Sequence, residues 1–123
     1  MQLSGTLSAT NSIKPTSAST ATGNVTGTYD PSSKMLTYTL TYSGLTGAPT
    51  AGHFHYGDAK HIGSTFITFS NLPTSTSGTI TGSTPLTATT ASQLDSFKLG
   101  HVYANIHTSQ YPSGEIRANV VVK

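Results

Sequence analysis

Leu36-Thr37-Tyr38-Thr39-Leu40-Thr41-Tyr42 alternates large apolar side chains with threonines over its whole length. Successive side chains on a strand point to opposite faces. This stretch is therefore predicted to be a β-strand with Leu36, Tyr38, Leu40 and Tyr42 on a core and three β-branched hydroxyl residues facing water. The two-residue period continues outward on both sides. Val25, Gly27 and Tyr29 alternate with polar residues upstream, and Asp30-Pro31 between the two runs is a turn signal, so a hairpin is expected around 30–34. Leu3, Gly5 and Leu7 mark a strand further upstream. Downstream, 52–56, 64–69, 78–82, 102–108 and 115–122 read as strands.

One helix interrupts the pattern, at 89–99. Thr90 is its expected cap, Leu94, Phe97 and Leu99 its inward residues, and Gly100 its stop. The Ser/Thr/Ala-rich stretch 8–22 reads as a surface connection, and 74–90 is Thr-rich and weakly patterned. About eight strands with regularly spaced turn signals predict an all-β fold, a Greek-key β-sandwich or barrel with one short helix.

Composition agrees. The chain has 123 residues, of which 8% are charged and 34% hydrophobic, and about a third are Ser or Thr. An average soluble domain carries about 25% charge. Low hydrophobicity signals disorder when charge is high, but here charge is nearly absent. Thr suits the solvated face of a sheet, so a hydroxyl-covered β domain accounts for both figures. With no Cys, disulfides, thiolate nucleophiles and Cys-based zinc sites are excluded. The six Lys and Arg behind the net charge of +2 are scattered, with no basic stripe of the kind nucleic-acid binders show. No run approaches the roughly 20 apolar residues of a spanning helix. Met1-Gln2-Leu3 leads straight into polar sequence, so no signal peptide is expected here.

Two segments carry most of the chemistry. One is Ala51-Gly52-His53-Phe54-His55-Tyr56-Gly57, followed by Gly63. The other runs from Gly100-His101-Val102-Tyr103-Ala104-Asn105-Ile106-His107-Thr108 into Tyr111-Pro112-Ser113-Gly114-Glu115-Ile116-Arg117. Together they resemble the CHRD (chordin-domain) family, with its His-x-His strand and its Tyr-x-Asn-x-His-Thr strand followed by Gly-Glu-Ile-Arg. Leu3-Ser4-Gly5, Gly23, the 36–42 strand and Gly44-Leu45 follow in the family's order, so the resemblance takes in residues 1–123 as one CHRD domain. Two departures stand out. Ala118 replaces a usual Gly, and Asp58-Ala59-Lys60-His61 replaces a more Gly-rich loop. The resemblance implies an extracellular binding or structural module, secreted, periplasmic or on the cell surface, whose partner is an unknown extracellular protein or ligand. The Thr-rich, Cys-free make-up suggests a stand-alone bacterial member.

The residues themselves allow a sharper reading. In 102–108, Ala104 and Ile106 take the core side, leaving Tyr103, Asn105 and His107 on the other face. In 115–122, Ile116, Ala118, Val120 and Val122 are core, and Glu115, Arg117 and Asn119 are polar-side. A short hairpin at 109–113 would set His107 across from Glu115, Asn105 from Arg117, and Tyr103 from Asn119. In 52–56 Phe54 is core and His53 and His55 face away. If that strand lies beside the last pair, His53, His55 and His107 share one sheet face. Three imidazoles suit Cu²⁺ or Zn²⁺ with water completing the coordination, and Glu115 could orient His107. The competing reading is a hydrogen-bonded network of these histidines with Asn105, Glu115 and Arg117 that fixes strand register, Glu115 and Arg117 forming an ion pair. His61 and His101 read as solvated loop histidines, although His61 could reach the same ion.

A His-x-His on a Greek-key strand also resembles the copper–zinc superoxide dismutases, and the fold expected is immunoglobulin-like or superoxide-dismutase-like. Their remaining ligand motifs have no counterpart here. With four acidic residues in the chain and no nucleophile elbow, no complete catalytic site is expected and the chain is not read as an enzyme. A third possibility is an ice- or glycan-binding surface built on rows such as Thr37, Thr39 and Thr41.

Overall fold

The alternation in the central strand is reproduced by burial. Leu36, Tyr38, Leu40 and Tyr42 are buried, while Thr37 and Thr41 are exposed. The computed structural model describes residues 1–12 and 18–123, so part of the expected 8–22 connection lies outside the described residues. Its elements are β1 (Gln2–Ser8), a 3₁₀ turn (Ala9–Asn11), β2 (Thr22–Asp30), β3 (Met35–Ser43), β4 (Ala51–Tyr56), β5 (Thr65–Thr68), β6 (Gly78–Pro85), α1 (Ala91–Lys98), β7 (Val102–His107), β8 (Ile116–Asn119) and β9 (Val121–Val122).

All strand pairs are antiparallel, in the order β5-β4-β7-β8-β1-β2-β3-β6, with β9 also on β1. Consecutive strands β3 and β4 are not neighbours. β3 pairs with β6 and β4 with β7, which is the Greek-key exchange expected. The sheet curls into an open half-barrel with β5 and β6 at its ends. Across its interior the ring of Tyr38 on β3 meets Phe54 on β4 and Phe69, 5.1 and 5.3 Å away, so both halves share one apolar core. The expected hairpin is present, with Asp30 paired to Met35. The Asp30 carboxylate accepts from Ser32 N–H at 2.9 Å, and Lys34 takes the left-handed backbone (φ 60) that closes the turn.

Two details differ from the pattern reading. The strand expected at 115–122 divides into β8 and β9 at Val120, whose N–H turns to Val102 O at 2.9 Å. Gly5 on β1 makes room at this break, since a Cβ there would sit 2.8 Å from the Asn119 carbonyl. The helix is capped as expected, by a reciprocal Thr90–Gln93 box, and Phe97 is buried. Leu99, however, is 71% exposed rather than inward. At about 100° per residue it lies roughly 200° around the helix from Phe97, and it follows the last helical residue, so no core-facing position was open to it.

The Thr faces form rows in register. Thr28, Thr37 and Ser83 lie side by side, as do Thr26, Thr39 and Thr81. They are solvated strand faces, and one hydroxyl pair (Thr37–Ser83, 3.3 Å) joins across them.

Candidate metal centre

β4 lies directly beside β7, and β7 beside β8, so the polar sides of three strands form one surface. His53 is opposite Asn105, which is opposite Arg117; His55 is opposite Tyr103, which is opposite Asn119. His107 is one diagonal step from His53, opposite Ala51. The pairings of Asn105 with Arg117 and Tyr103 with Asn119 are those the hairpin arithmetic gives.

This surface is not open to water as an ordinary outer sheet face is. Tyr103, Asn105 and Arg117 are 3%, 7% and 3% exposed. The 57–63 loop folds back over them through its backbone. Arg117 Nη2 donates to the carbonyls of Asp58 and His61 (2.9 Å to the latter) and to Asn119 Oδ1 at 3.3 Å. Asn119 Nδ2 donates to Gly57 O, and the Gly63 N–H donates to the Tyr103 hydroxyl. The guanidinium carbon stands 3.5 Å over the centre of the Tyr103 ring, which also stacks on His55.

His53, His55 and His107 converge, their candidate ligand nitrogens all within 4.8 Å of one another. Two are oriented by backbone carbonyls. His55 Nδ1 lies 3.1 Å from Gly63 O, and His107 Nδ1 lies 2.8 Å from Pro112 O. A carbonyl only accepts, so both Nδ1 atoms carry a proton, and the neutral form of each ring turns its Nε2 lone pair inward. Those Nε2 atoms lie 3.1 and 3.0 Å from Asn105 Oδ1, and His107 Nε2 is 3.2 Å from His53 Nδ1. Burial holds the His53 pKa below its ordinary value, assisted by repulsion from His107 and His55. Burial likewise lowers that of His55, with the Gly63 carbonyl opposing it. These two rings are thus biased toward the neutral, metal-binding form.

Two sequence expectations are overturned by where the charges sit. Glu115 does not orient His107. Its carboxylate is fully buried and accepts from Thr46 N–H (3.0 Å), Thr46 Oγ1 (2.6 Å), Thr108 Oγ1 (2.7 Å) and Ser19 Oγ (2.7 Å). Four donors satisfy a buried carboxylate better than one imidazole could, and His107 Nδ1 is already held by Pro112. Nor does Arg117 pair with Glu115. Among the described residues the one ion pair is exposed, His61 Nδ1 with Asp58 Oδ1 at 2.6 Å. His61, held by Asp58, is exposed and outside the group of three histidines, and His101 is exposed as well. The carbonyl anchors at Gly63 and Pro112 and the Ser19–Thr46–Thr108 cradle carried no sequence signal, because backbone acceptors and lone hydroxyls have none.

The CHRD domain family model matches residues 3–120. The chain belongs to the CHRD family. No curated protein and no solved structure matches it. The two departures from the CHRD pattern leave the histidine surface intact. Ala118 faces the core opposite Ala104, and the 58–61 side chains are at or near the exposed surface while their carbonyls do the holding.

Proposed function

We propose that this CHRD protein is a single extracellular, non-catalytic binding module whose ligand is a transition-metal ion, Cu²⁺ or Zn²⁺, held by His53, His55 and His107. The observation that carries the reading is the convergence of lone pairs. The Nε2 atoms of His55 and His107, with their protons fixed on the far side of each ring, aim at the same Asn105 oxygen. Acceptors facing acceptors repel unless a cation lies between them. Two nitrogens bound at about 2.0–2.1 Å to one tetrahedral ion stand about 3.3 Å apart, and His53 Nδ1 and His107 Nε2 already stand 3.2 Å apart. The second reading is a closed polar network. There a turned Asn105 amide presents its NH₂ to both rings, or a ring that carries a second proton donates from Nε2 to the Asn105 oxygen.

Thermal unfolding separates the two. At pH 7.5, metal-free protein is titrated with Zn²⁺ and then Cu²⁺, alongside His55→Ala. An ion that binds only the folded state at 100 times its Kd adds about 2.7 kcal/mol of stability, so Tm must climb with metal concentration. The climb should vanish in His55→Ala. A wild-type Tm indifferent to both ions well above micromolar concentration leaves the face as a register-fixing network in a module that binds something else.

A further inference from the structure

Arg117 is the least expected charge in the protein. It is 3% exposed, and its Nε and Nη1 are buried and have no hydrogen-bond partner among the described residues. Nη2 alone is committed, to two loop carbonyls and Asn119. None of the four acidic residues places a carboxylate against the guanidinium. Asp58 offers it a backbone carbonyl while its carboxylate holds Lys60 N–H and His61; Glu115 is taken by its hydroxyl cradle; Asp30 and Asp95 lie on β2 and α1. A cation taken out of water without a counter-ion, and with free N–H donors, is costly unless something supplies acceptors. Arg117 also lines a cavity of about 330 Å³ that opens beside the metal centre, with His55, His107, Asn105, Ser113 and Gly114 on its wall.

We propose that this cavity is an anion site for a small carboxylate or oxyanion, held by the unpartnered N–H groups of Arg117. The surroundings suit such a ligand. Arg117 carries the one fixed charge on the wall, no carboxylate side chain lines it, and Gly114, in a left-handed backbone (φ 129), leaves the space that a side chain would close. The donors are shielded from bulk water, so the side chains and backbone around them must give way as the anion enters. The site shares its cavity with the proposed metal but not its atoms, so either can exist without the other.

The test uses the metal-free protein in EDTA, so that the metal reading has no bearing on it. The Arg117 Nε–H resonance of ¹⁵N-labelled protein is followed while formate, acetate and phosphate are titrated at constant ionic strength against chloride. A saturable shift is expected, with the amides of Ser113 and Gly114 moving in step. The dissociation constant should be on the order of 1 mM, the range open to a ligand of a few heavy atoms. Arg117→Lys keeps the charge but lacks the Nε–H and should weaken the Ser113 and Gly114 response at least tenfold; should that variant not fold, the wild-type Nε–H titration decides. An Nε–H signal that exchanges with water yet ignores all three anions overturns the proposal and assigns the free donors to buried water. A zinc titration on a separate sample, freed of EDTA and of the added anions, then reports the histidine reading.

Discussion

Replacing Glu115 tests the reassignment of the one acid that the sequence placed beside the histidines. The carboxylate is fully buried and takes hydrogen bonds from the backbone and hydroxyl of Thr46, from Thr108 and from Ser19. It thus ties the start of β8 to the 44–50 loop and to the strand-side of the 18–21 segment. Hydrogen bonds to a charged group contribute about 1.5–3 kcal/mol each but do not add, and losing one side of a buried charged network costs about 3–5 kcal/mol. Glu115→Ala should therefore lose about 3–5 kcal/mol. An unfolding entropy of about 2.1 cal/mol/K per residue over 123 residues gives about 0.26 kcal/mol/K, so Tm should fall by about 12–19 °C. Glu115→Gln keeps the shape, and hydroxyls can rotate to accept from its NH₂ while its oxygen faces Thr46 N–H; about 1–2 kcal/mol is expected.

The pH dependence has a definite sign. Burial alone would raise the Glu115 pKa, but the bonds from Thr46, Ser19 and Thr108 outweigh it and hold the carboxyl below its ordinary 4.5. The folded protein then binds this proton less readily than the unfolded chain. The contribution is present above pH 4.5 and is lost as pH falls through the folded value below it. Differential scanning calorimetry from pH 7 to pH 3 should show this acid limb in wild type and a flatter one in Glu115→Gln. Both variants should bind zinc as wild type does, since the carboxylate touches no histidine. A loss under 1 kcal/mol for Glu115→Ala, or zinc affinity falling with it, would refute the reasoning.

Two further outcomes follow from the histidine surface. In metal-free protein His53 and His55 have pKa values held below the ordinary 6.5, so their contribution is present above pH 6.5 and is lost as pH falls through their folded values. Chemical denaturation across pH 7 to 5 should show that decline, and His55→Gln should reduce it; an unchanged slope would contradict the burial argument. Gly63→Ala would bring a Cβ against the Tyr56 carbonyl and displace the carbonyl that orients His55. Its zinc affinity should drop about 10–100-fold, the usual cost of losing a ligand's orienting partner, and equal affinity by calorimetric titration would show that the anchor is dispensable.

How much could be read in advance depended on which physical signal carried it. Period-two alternation marked β3, both hairpins and the side on which Phe54, Ala104 and Ile106 are buried, because burial on one face forces alternation. The same arithmetic gave Asn105 opposite Arg117. It failed at Leu99, where an apolar residue close behind Phe97 was read as part of a face that 3.6-residue geometry does not give it. It failed again at Glu115. Opposite position in a ladder says which backbones are neighbours, but a carboxylate goes where the donors are, and Ser19, Thr46 and Thr108 come from three separate parts of the chain. The adjacency of β4 to β7, on which the three-histidine surface depends, is a crossover that no local pattern encodes.

The 57–63 loop shows why a departure from the family pattern can leave the site standing. Among the described residues the hydrogen bonds from this loop to the histidine–arginine surface use the loop's main-chain atoms: carbonyls of Asp58 and His61 to Arg117, of Gly57 to Asn119, of Gly63 to His55, and the Gly63 N–H to the Tyr103 hydroxyl. Its side chains instead make an exposed pair, Asp58 with His61, of the kind worth little to stability. Backbone acceptors are available whatever residue bears them, provided the chain keeps its path. That path depends on Gly57 and Gly63, where a Cβ would strike the His61 and Tyr56 carbonyls respectively. The residues between are therefore free to change. Constraint falls on the two glycines and on the side chains that reach up to them, Tyr103, Asn119, Arg117 and His55.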